Sequence, residues 1–349
     1  MSTQSESTTV GLDLPRVRRW LAEHVPALEG EIDFEFLSGG RSNLTYRITD
    51  AAGHAYALRR PPVGGVLSTA HDVGREWAFI SALAPTGFPV AEPVALCDDT
   101  EVTGAAFYVM GFVDGKVLAD EEAGLEFPEG SRAPAADHLV DVLVQLHSFD
   151  PVEVGLGDLV RRTGFVERQL RRWQAQVHAS GAADLALLDE VHDLLAEHVP
   201  AQSTGIVHGD YRPGNLAFAP DGRVTGVFDW ELATSGDPMA DLGWLISTWA
   251  QADDDVLPTT PGPSAVPGFP GRDAVVERYA RLSGRDVSGL PYWLAFSRWR
   301  SACISAGVRA RYTAGHMADD GYREQLTARS ESESRMAHAA RESLRDLGI

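Results

Sequence analysis

The period of the apolar positions changes several times along this chain. Val17, Trp20, Leu21 and Val25 recur at i, i+3, i+4 and i+8, the stripe of an amphipathic helix. The period then shortens. Phe34–Leu37, Leu44–Ile48 and Ala55–Arg59 read as strands, joined by the segment Ser38–Asn43 and by a turn at Asp50–Gly53. A helix follows, starting near Thr69, whose hydroxyl can cap it while Asp72 closes a capping box. Val73, Trp77 and Ile80 would be its buried stripe, with Glu76 beside it. Val90–Cys97 and Ala106–Phe112 read as two further strands.

After Asp114-Gly115 the pattern turns helical. Leu139, Val142, Leu143 and Leu146 form one stripe, Val166, Leu170, Trp173 and Val177 another, and Leu188, Val191 and Leu195 a third. A short β insert, Ile206–Phe228, interrupts these helices, with Pro220-Asp221-Gly222 as its hairpin turn. Helices resume from Pro238, and residues 258–271, dense in Pro and Gly, read as a long loop. The chain has 349 residues, too many for one ordinary core and enough for two lobes. The organisation expected is α+β: a disordered tail over 1–10, a β-rich lobe over 11–113 and a mostly helical lobe over 114–349. A cleft at such a junction is a usual ligand site.

Composition narrows the function classes. A net charge of -20 argues against a nucleic-acid partner, which needs a basic surface, and agrees with a soluble protein. Cys97 and Cys303 are the only cysteines and lack CxxC neighbours, so no disulfide framework or zinc site is expected. No apolar run reaches membrane-spanning length, and Ser2–Thr9 has no apolar signal core, so a cytoplasmic location is expected. Composition leaves the oligomeric state open. There is no Gly-x-Ser-x-Gly elbow for a hydrolase.

The strongest chemical pattern is His208-Gly209-Asp210-Tyr211-Arg212-Pro213-Gly214-Asn215, followed by Val227-Phe228-Asp229-Trp230. Phosphoryl transfer from a nucleotide needs a carboxylate to orient the attacking hydroxyl and oxygen ligands for magnesium. Asp210 lies just after an apolar strand and suits the base. Alone it could equally be a turn cap. Asn215 and Asp229 supply an amide oxygen and a carboxylate, the hard donors magnesium prefers. His208 is read as a brace of this loop. Arg212 and Tyr211 are candidates to face substrate, as is Glu231. Asp241 could cap its own helix or reach back to the loop.

The N-terminal half offers nucleotide contacts. Ser38, Gly39, Gly40, Ser42 and Asn43 lie in a glycine-bearing connection whose amides could approach phosphates. It matches neither a Walker A motif nor a dinucleotide fingerprint. Arg59 ends a strand where a kinase places its phosphate-binding lysine, and Glu76 on the next helix would pair with it. Arg59 and Arg60 cannot both point into one cleft, because side chains alternate along a strand.

These segments together, with Leu58–Pro62, Arg75-Glu76, Phe107–Met110 and Phe228–Glu231, resemble the aminoglycoside phosphotransferase-like family. The likeness is nearest to the branch related to kinase domains fused to acyl-CoA dehydrogenases. It runs from about residue 35 to 245, and more loosely to about 315. It implies a bilobal protein-kinase-like fold, with an antiparallel five-stranded N-lobe carrying one main helix. It also implies ATP or GTP as donor, magnesium as cofactor, Asp210 as base, Asn215 and Asp229 as metal ligands, and a purine held by backbone near Met110–Phe112. Two positions depart from the pattern: Arg59 stands for the usual lysine, and Gly111 where an acidic residue is common.

The expected activity is a small-molecule kinase acting on a hydroxyl. Its acceptor would lie on the helical lobe, near the 258–271 loop and the helix Tyr292–Arg311, whose Arg298, Arg300, Arg309 and Arg311 could meet an anion such as a hydroxyacyl-CoA. An aminoglycoside acceptor and a non-catalytic, pseudokinase-like nucleotide binder are the alternatives.

Overall fold

The computed structural model describes residues 11–38, 43–62, 73–159, 164–182, 184–254, 262–315 and 326–349. The chain divides into two compact units. Unit 1 holds Met1–Asp114 and Phe228–Glu231; unit 2 holds Gly115–Val227 and Leu232–Ile349.

Unit 1 opens with α1 (Leu14–His24), capped by the Asp13 carboxylate accepting from the Arg16 amide. It continues with β1 (Ile32–Ser38), β2 (Leu44–Asp50), β3 (Ala55–Arg60), α2 (Val73–Leu83), β4 (Pro93–Cys97), the short α3 (Thr100–Thr103) and β5 (Phe107–Gly111). The strands form one antiparallel sheet in the order β1-β2-β3-β5-β4. Period-2 alternation places Tyr46, Ile48, Leu58, Phe107 and Val109 in a core closed by Val17, Trp20 and Leu21 of α1. The Trp20 ring meets Phe107 edge-on at 4.8 Å.

On α2 the buried residues are Val73, Glu76, Phe79, Ile80 and Leu83. Trp77, expected within the stripe, is only half-buried. The spacing of Val73, Glu76, Ile80 and Leu83 follows one helix face, and Trp77 falls at its margin. The expected start of this helix at Thr69 and Asp72 lies outside the described residues.

Unit 2 begins not with a helix but with a strand, β6 (Lys116–Val117). Two residues were too few to register in the apolar pattern. The helices α4 (Glu121–Glu126), α5 (Glu129–Ser148), α6 (Phe165–His178) and α7 (Leu185–Glu197) follow, and the three expected stripes on α5, α6 and α7 are all buried. The β insert comprises β7 (Gly205–Val207), β8 (Leu216–Phe218), β9 (Val224–Val227) and β10 (Thr234–Gly236). They pair as a sheet β6-β8-β9 and a ribbon β10-β7.

The chain ends in α8 (Met239–Thr248), α9 (Arg272–Ser283), α10 (Leu290–Thr313) and α11 (Leu326–Arg345). Part of the expected 258–271 loop is a short helical turn at Pro263–Ala265, and 258–261 lie outside the described residues. The 24-residue α10 is the spine of the unit, with neighbours α6, α7, α8 and α11. Trp299 and Tyr292 anchor it to α7 by donating to the Leu188 and Leu195 carbonyls at 2.9 and 2.8 Å. Gly243 lets α8 close on it: a Cβ there would lie 2.7 Å from the Trp293 carbonyl oxygen.

The arginines of α10 do not form a cluster. Arg298 donates to Ser343 and Arg309 pairs with Glu333, both on α11, whereas Arg311 is exposed. Arg300 turns the other way, into the interior. Among the described residues, no helix is long and apolar enough to cross a membrane. Both cysteines are buried free thiols.

Candidate active site

The loop that leaves β7 is shaped by three consecutive needs. Its strand, Gly205–Val207, is fully buried, so the next backbone groups must find partners inside the fold. The Asp241 carboxylate, fully buried near the start of α8, accepts the N–H groups of His208 at 2.6 Å and Gly209 at 2.8 Å. It also meets His147 Nε2 at 3.3 Å, and His147 Nδ1 lies 2.8 Å from the Tyr279 hydroxyl. Of the two roles open to Asp241, the reach back to the loop is the one seen. Gly209 then turns the chain at φ 85°, in contact with Leu232, where a Cβ would lie 2.8 Å from the Leu232 carbonyl oxygen.

This turn delivers Asp210 half-exposed, with both carboxylate oxygens held. Trp244 Nε1 donates to Oδ1 and Asn215 Nδ2 to Oδ2, each at 2.7 Å. The Asp210 amide donates to His208 Nδ1 at 3.2 Å, the observed contact behind the bracing role given to His208. Asn215 spends its N–H₂ on Asp210, which turns its own amide oxygen away from that residue. Arg212 Nε stands 3.5 Å from Asp210 Oδ1. Tyr211, in contrast to the expectation that it faces substrate, is wholly buried and donates to the Leu139 carbonyl at 2.8 Å. Trp244 escaped the sequence reading. Its indole looks like core in an apolar helix, and nothing local marks its N–H as aimed at Asp210.

Unit 1 holds the second group of candidate residues. Arg59 on β3 lies between two carboxylates: its Nε is 2.8 Å from Glu76 Oε2 and its Nη2 is 2.5 Å from Asp229 Oδ1. Arg60 points away and donates to the Pro61 and Thr103 carbonyls. Glu76 is fully buried and also accepts from the Tyr108 hydroxyl at 2.9 Å and from the Asn43 amide. Burial pushes the Glu76 carboxyl up, against the pull of Arg59. Burial works to lower Arg59, but Glu76, Tyr108 and Asp229 outweigh it and hold the guanidinium above its ordinary range.

Asp229 has a backbone φ of 66°, the one left-handed non-glycine residue among those described. Such a conformation costs about 1 kcal/mol or more and draws attention to the site. Oxygens of Glu76, Asp229 and Glu231 lie within 4.8 Å of one another, a hard donor set suited to a divalent ion.

Three expectations for nucleotide contacts change. Asn43 is buried, with its amide spent on Glu76, so it props the acid rather than facing outward. The N–H groups of Gly111 and Phe112 donate to the carbonyls of Glu92 and Ala55 at 2.8 and 3.2 Å, and Met110 is buried. The two N–H groups after Met110 are therefore already taken within the fold. Ser38 ends β1 opposite Thr45, and Gly39, Gly40 and Ser42 lie outside the described residues.

One unit with a five-stranded antiparallel sheet and one main helix, and a second, mostly helical unit carrying this loop, define a protein-kinase-like fold. By the match of residues 33–289 to its family model, the chain belongs to the phosphotransferase enzyme family. A candidate aminoglycoside phosphotransferase from Ralstonia eutropha superposes with a TM-score of 0.79 at 32% identity, covering 96% of this chain and 98% of that one. Aminoglycoside 2'-phosphotransferase-IIIa in its GDP complex shares the fold at a TM-score of 0.61 and 14% identity, over 92% of this chain and 98% of that one. Acyl-CoA dehydrogenase family member 11 from Gallus gallus is 34% identical over 330 residues, 89% of this chain and 41% of the relative. The Homo sapiens protein of that name is 32% identical over 290 residues, 80% of this chain and 36% of the relative. The chain thus spans less than half the length of these curated relatives.

Proposed function

We propose that this chain is a small-molecule kinase that moves the terminal phosphoryl group of ATP or GTP to a hydroxyl. The observation that carries the reading is the fixture of Asp210. A half-exposed carboxylate has its orientation set by Trp244 and Asn215, on a loop anchored by a buried acid. Residues that only cap turns do not need such support.

On this reading Asp210 accepts a hydrogen bond from the acceptor hydroxyl and directs its lone pair at the γ-phosphorus. Asn215 and Asp229 are the residues that would hold magnesium, with Glu231 close to Asp229, and the ion would supply charge neutralisation at the phosphates. Arg59 holds the phosphates, with Glu76 fixing its direction. GDP in aminoglycoside 2'-phosphotransferase-IIIa and AMP-PNP in the ternary complex of aminoglycoside phosphotransferase APH(4)-Ia favour a nucleotide donor. The relatives named for acyl-CoA dehydrogenase favour an acceptor such as a hydroxyacyl-CoA or another anionic hydroxy compound. The aminoglycoside phosphotransferases among the structural neighbours support an aminoglycoside as the second reading.

The test is Asp210→Asn, assayed for acceptor-dependent loss of ATP or GTP across hydroxylated metabolites. Turnover should fall by about 10²–10⁴-fold, with nucleotide affinity little changed. Unaltered turnover would remove Asp210 from the chemistry.

A further inference from the structure

Gly209 is the link of the Asp210 loop with the most backbone freedom. It sits at φ 85°, directly before the carboxylate that the loop presents. Both of its backbone polar groups are held, each by a buried charge. Its N–H donates to Asp241 Oδ1 at 2.8 Å, and its carbonyl accepts from Nη2 of Arg300 on α10. Asp241 is fully buried and Arg300 is 6% exposed. The same Arg300 guanidinium lies over the Trp244 ring, 4.1 Å from its centre. Trp244 is the indole whose N–H holds Asp210 Oδ1 at 2.7 Å. One side chain therefore touches both of the structures that orient Asp210, the backbone before it and the ring beside it.

This is a costly seat for a cation. Among the described residues no carboxylate forms an ion pair with Arg300, and its Nε has no hydrogen-bond partner. Burial pushes Arg300 down to about 10, with Asp210 and Asp241 countering and Arg172 adding to the depression, so it stays charged at neutral pH. A neutral amide could serve the Gly209 carbonyl without burying a charge. It would lack the charge that draws a planar guanidinium onto the face of an indole.

We propose that Arg300 is a positioning residue for phosphoryl transfer. It clamps Gly209 and the Trp244 ring together, so that Asp210 keeps its direction toward the acceptor hydroxyl. Resting on the kinase reading of Asp210, this gives Arg300 a part in turnover and none in nucleotide affinity.

Arg300→Gln tells this role from a merely structural one, because it keeps an N–H donor and removes the buried charge. Turnover should fall about 10- to 100-fold, with melting close to the parent's. The nucleotide KM should stay within about twofold of the parent's. The chain has eight tryptophans, and the indole N–H resonance of Trp244 is the one lost in Trp244→Phe. In Arg300→Gln that resonance should shift and exchange faster with water. Arg300→Lys keeps the charge without the flat fork and should lose only about 3- to 10-fold in turnover. Arg300→Gln added to Trp244→Phe should cost less than the product of the two single losses, since one acts through the other. Parental turnover, an unmoved indole resonance, losses that multiply, or a variant that unfolds or melts well below the parent would each overturn the positioning role.

Asp210→Asn separates the two readings. If it transfers phosphoryl groups like the parent, the kinase reading fails, and the indole resonance in Arg300→Gln still reports whether Arg300 holds Trp244 on Asp210. If Asp210→Asn loses transfer while Arg300→Gln keeps it in full, the kinase stands and the role given to Arg300 is gone.

Discussion

At Asp210 the hydrogen bond from Trp244 can be removed while a ring is kept at that position. Trp244→Phe keeps an aromatic ring near Arg300 and removes the N–H that fixes Asp210 Oδ1, together with three heavy atoms of a buried indole. A hydrogen bond to a charged group contributes about 1.5–3 kcal/mol. If that bond orients the base, turnover should fall roughly 10- to 100-fold, with nucleotide affinity unchanged. A parental turnover number in this variant would make Trp244 ordinary core. A second test at this scale concerns Arg59. Arg59→Met strands the Glu76 carboxyl in the interior, at a cost of about 3–5 kcal/mol. Adding Glu76→Gln should recover part of that loss, because the charge that lacks a partner is then gone. Chemical denaturation of both single variants and the double variant reads the coupling, and strict additivity would refute the pair's importance.

Among the elements, the contact between α5, α8 and the loop after β7 depends on pH. Asp241 is pushed up by burial and pulled down by His147, His208 and the Gly209 amide, with the pull winning. A folded-state value below the unfolded one, near 3.9, gives stability that is present above that value and lost as pH falls through the folded one. His147 is pushed down by burial, despite Asp241. The unfolded chain therefore takes up its proton first, and stability declines as pH drops below about 6.5. His147→Gln should flatten the first part of that decline. Asp241→Ala should cost roughly 1–3 kcal/mol for each of the two amides it orphans at pH 7, and less below pH 4. A melting curve measured from pH 7 to pH 3 checks both, and parallel profiles for parent and variants would refute the assignment.

The same contacts mark how far the sequence can be read. Periodicity carries α5, α6 and α7, because each buries one clean stripe, and the spacing from Asp210 to Asn215 carries the loop. It does not carry β6, which is too short for a period, or Trp244, whose indole N–H looks no different from a core ring. It also misplaces Trp77, since one turn of ambiguity separates a helix face from its margin. The second carboxylate on Arg59 was equally hidden. Asp229 is 170 residues away in sequence, and no local pattern encodes that pairing.

For the whole molecule, the most informative segment is the one that changes units. Phe228–Glu231 follows β9 directly in the chain and falls within the expected 114–349 lobe, yet it groups with unit 1. Its anchor is Trp230, 1% exposed, stacked on Phe79 at 6.1 Å and set edge-on to Phe88 at 5.9 Å. That burial fixes the residue before it, Asp229, in its left-handed conformation beside Arg59. Trp230→Ala should cost about 3–5 kcal/mol through the cavity it leaves. The loss should fall on unit 1: amide exchange in α2, where Phe79 lies, should accelerate by one to two orders of magnitude, about what 1.4–2.8 kcal/mol of lost protection gives. Magnesium-dependent nucleotide binding should weaken with it, because Asp229 loses its fixed backbone. Unchanged protection in α2 together with unchanged nucleotide affinity would mean that Trp230 fills space without holding the acid, and that another contact keeps Asp229 on Arg59.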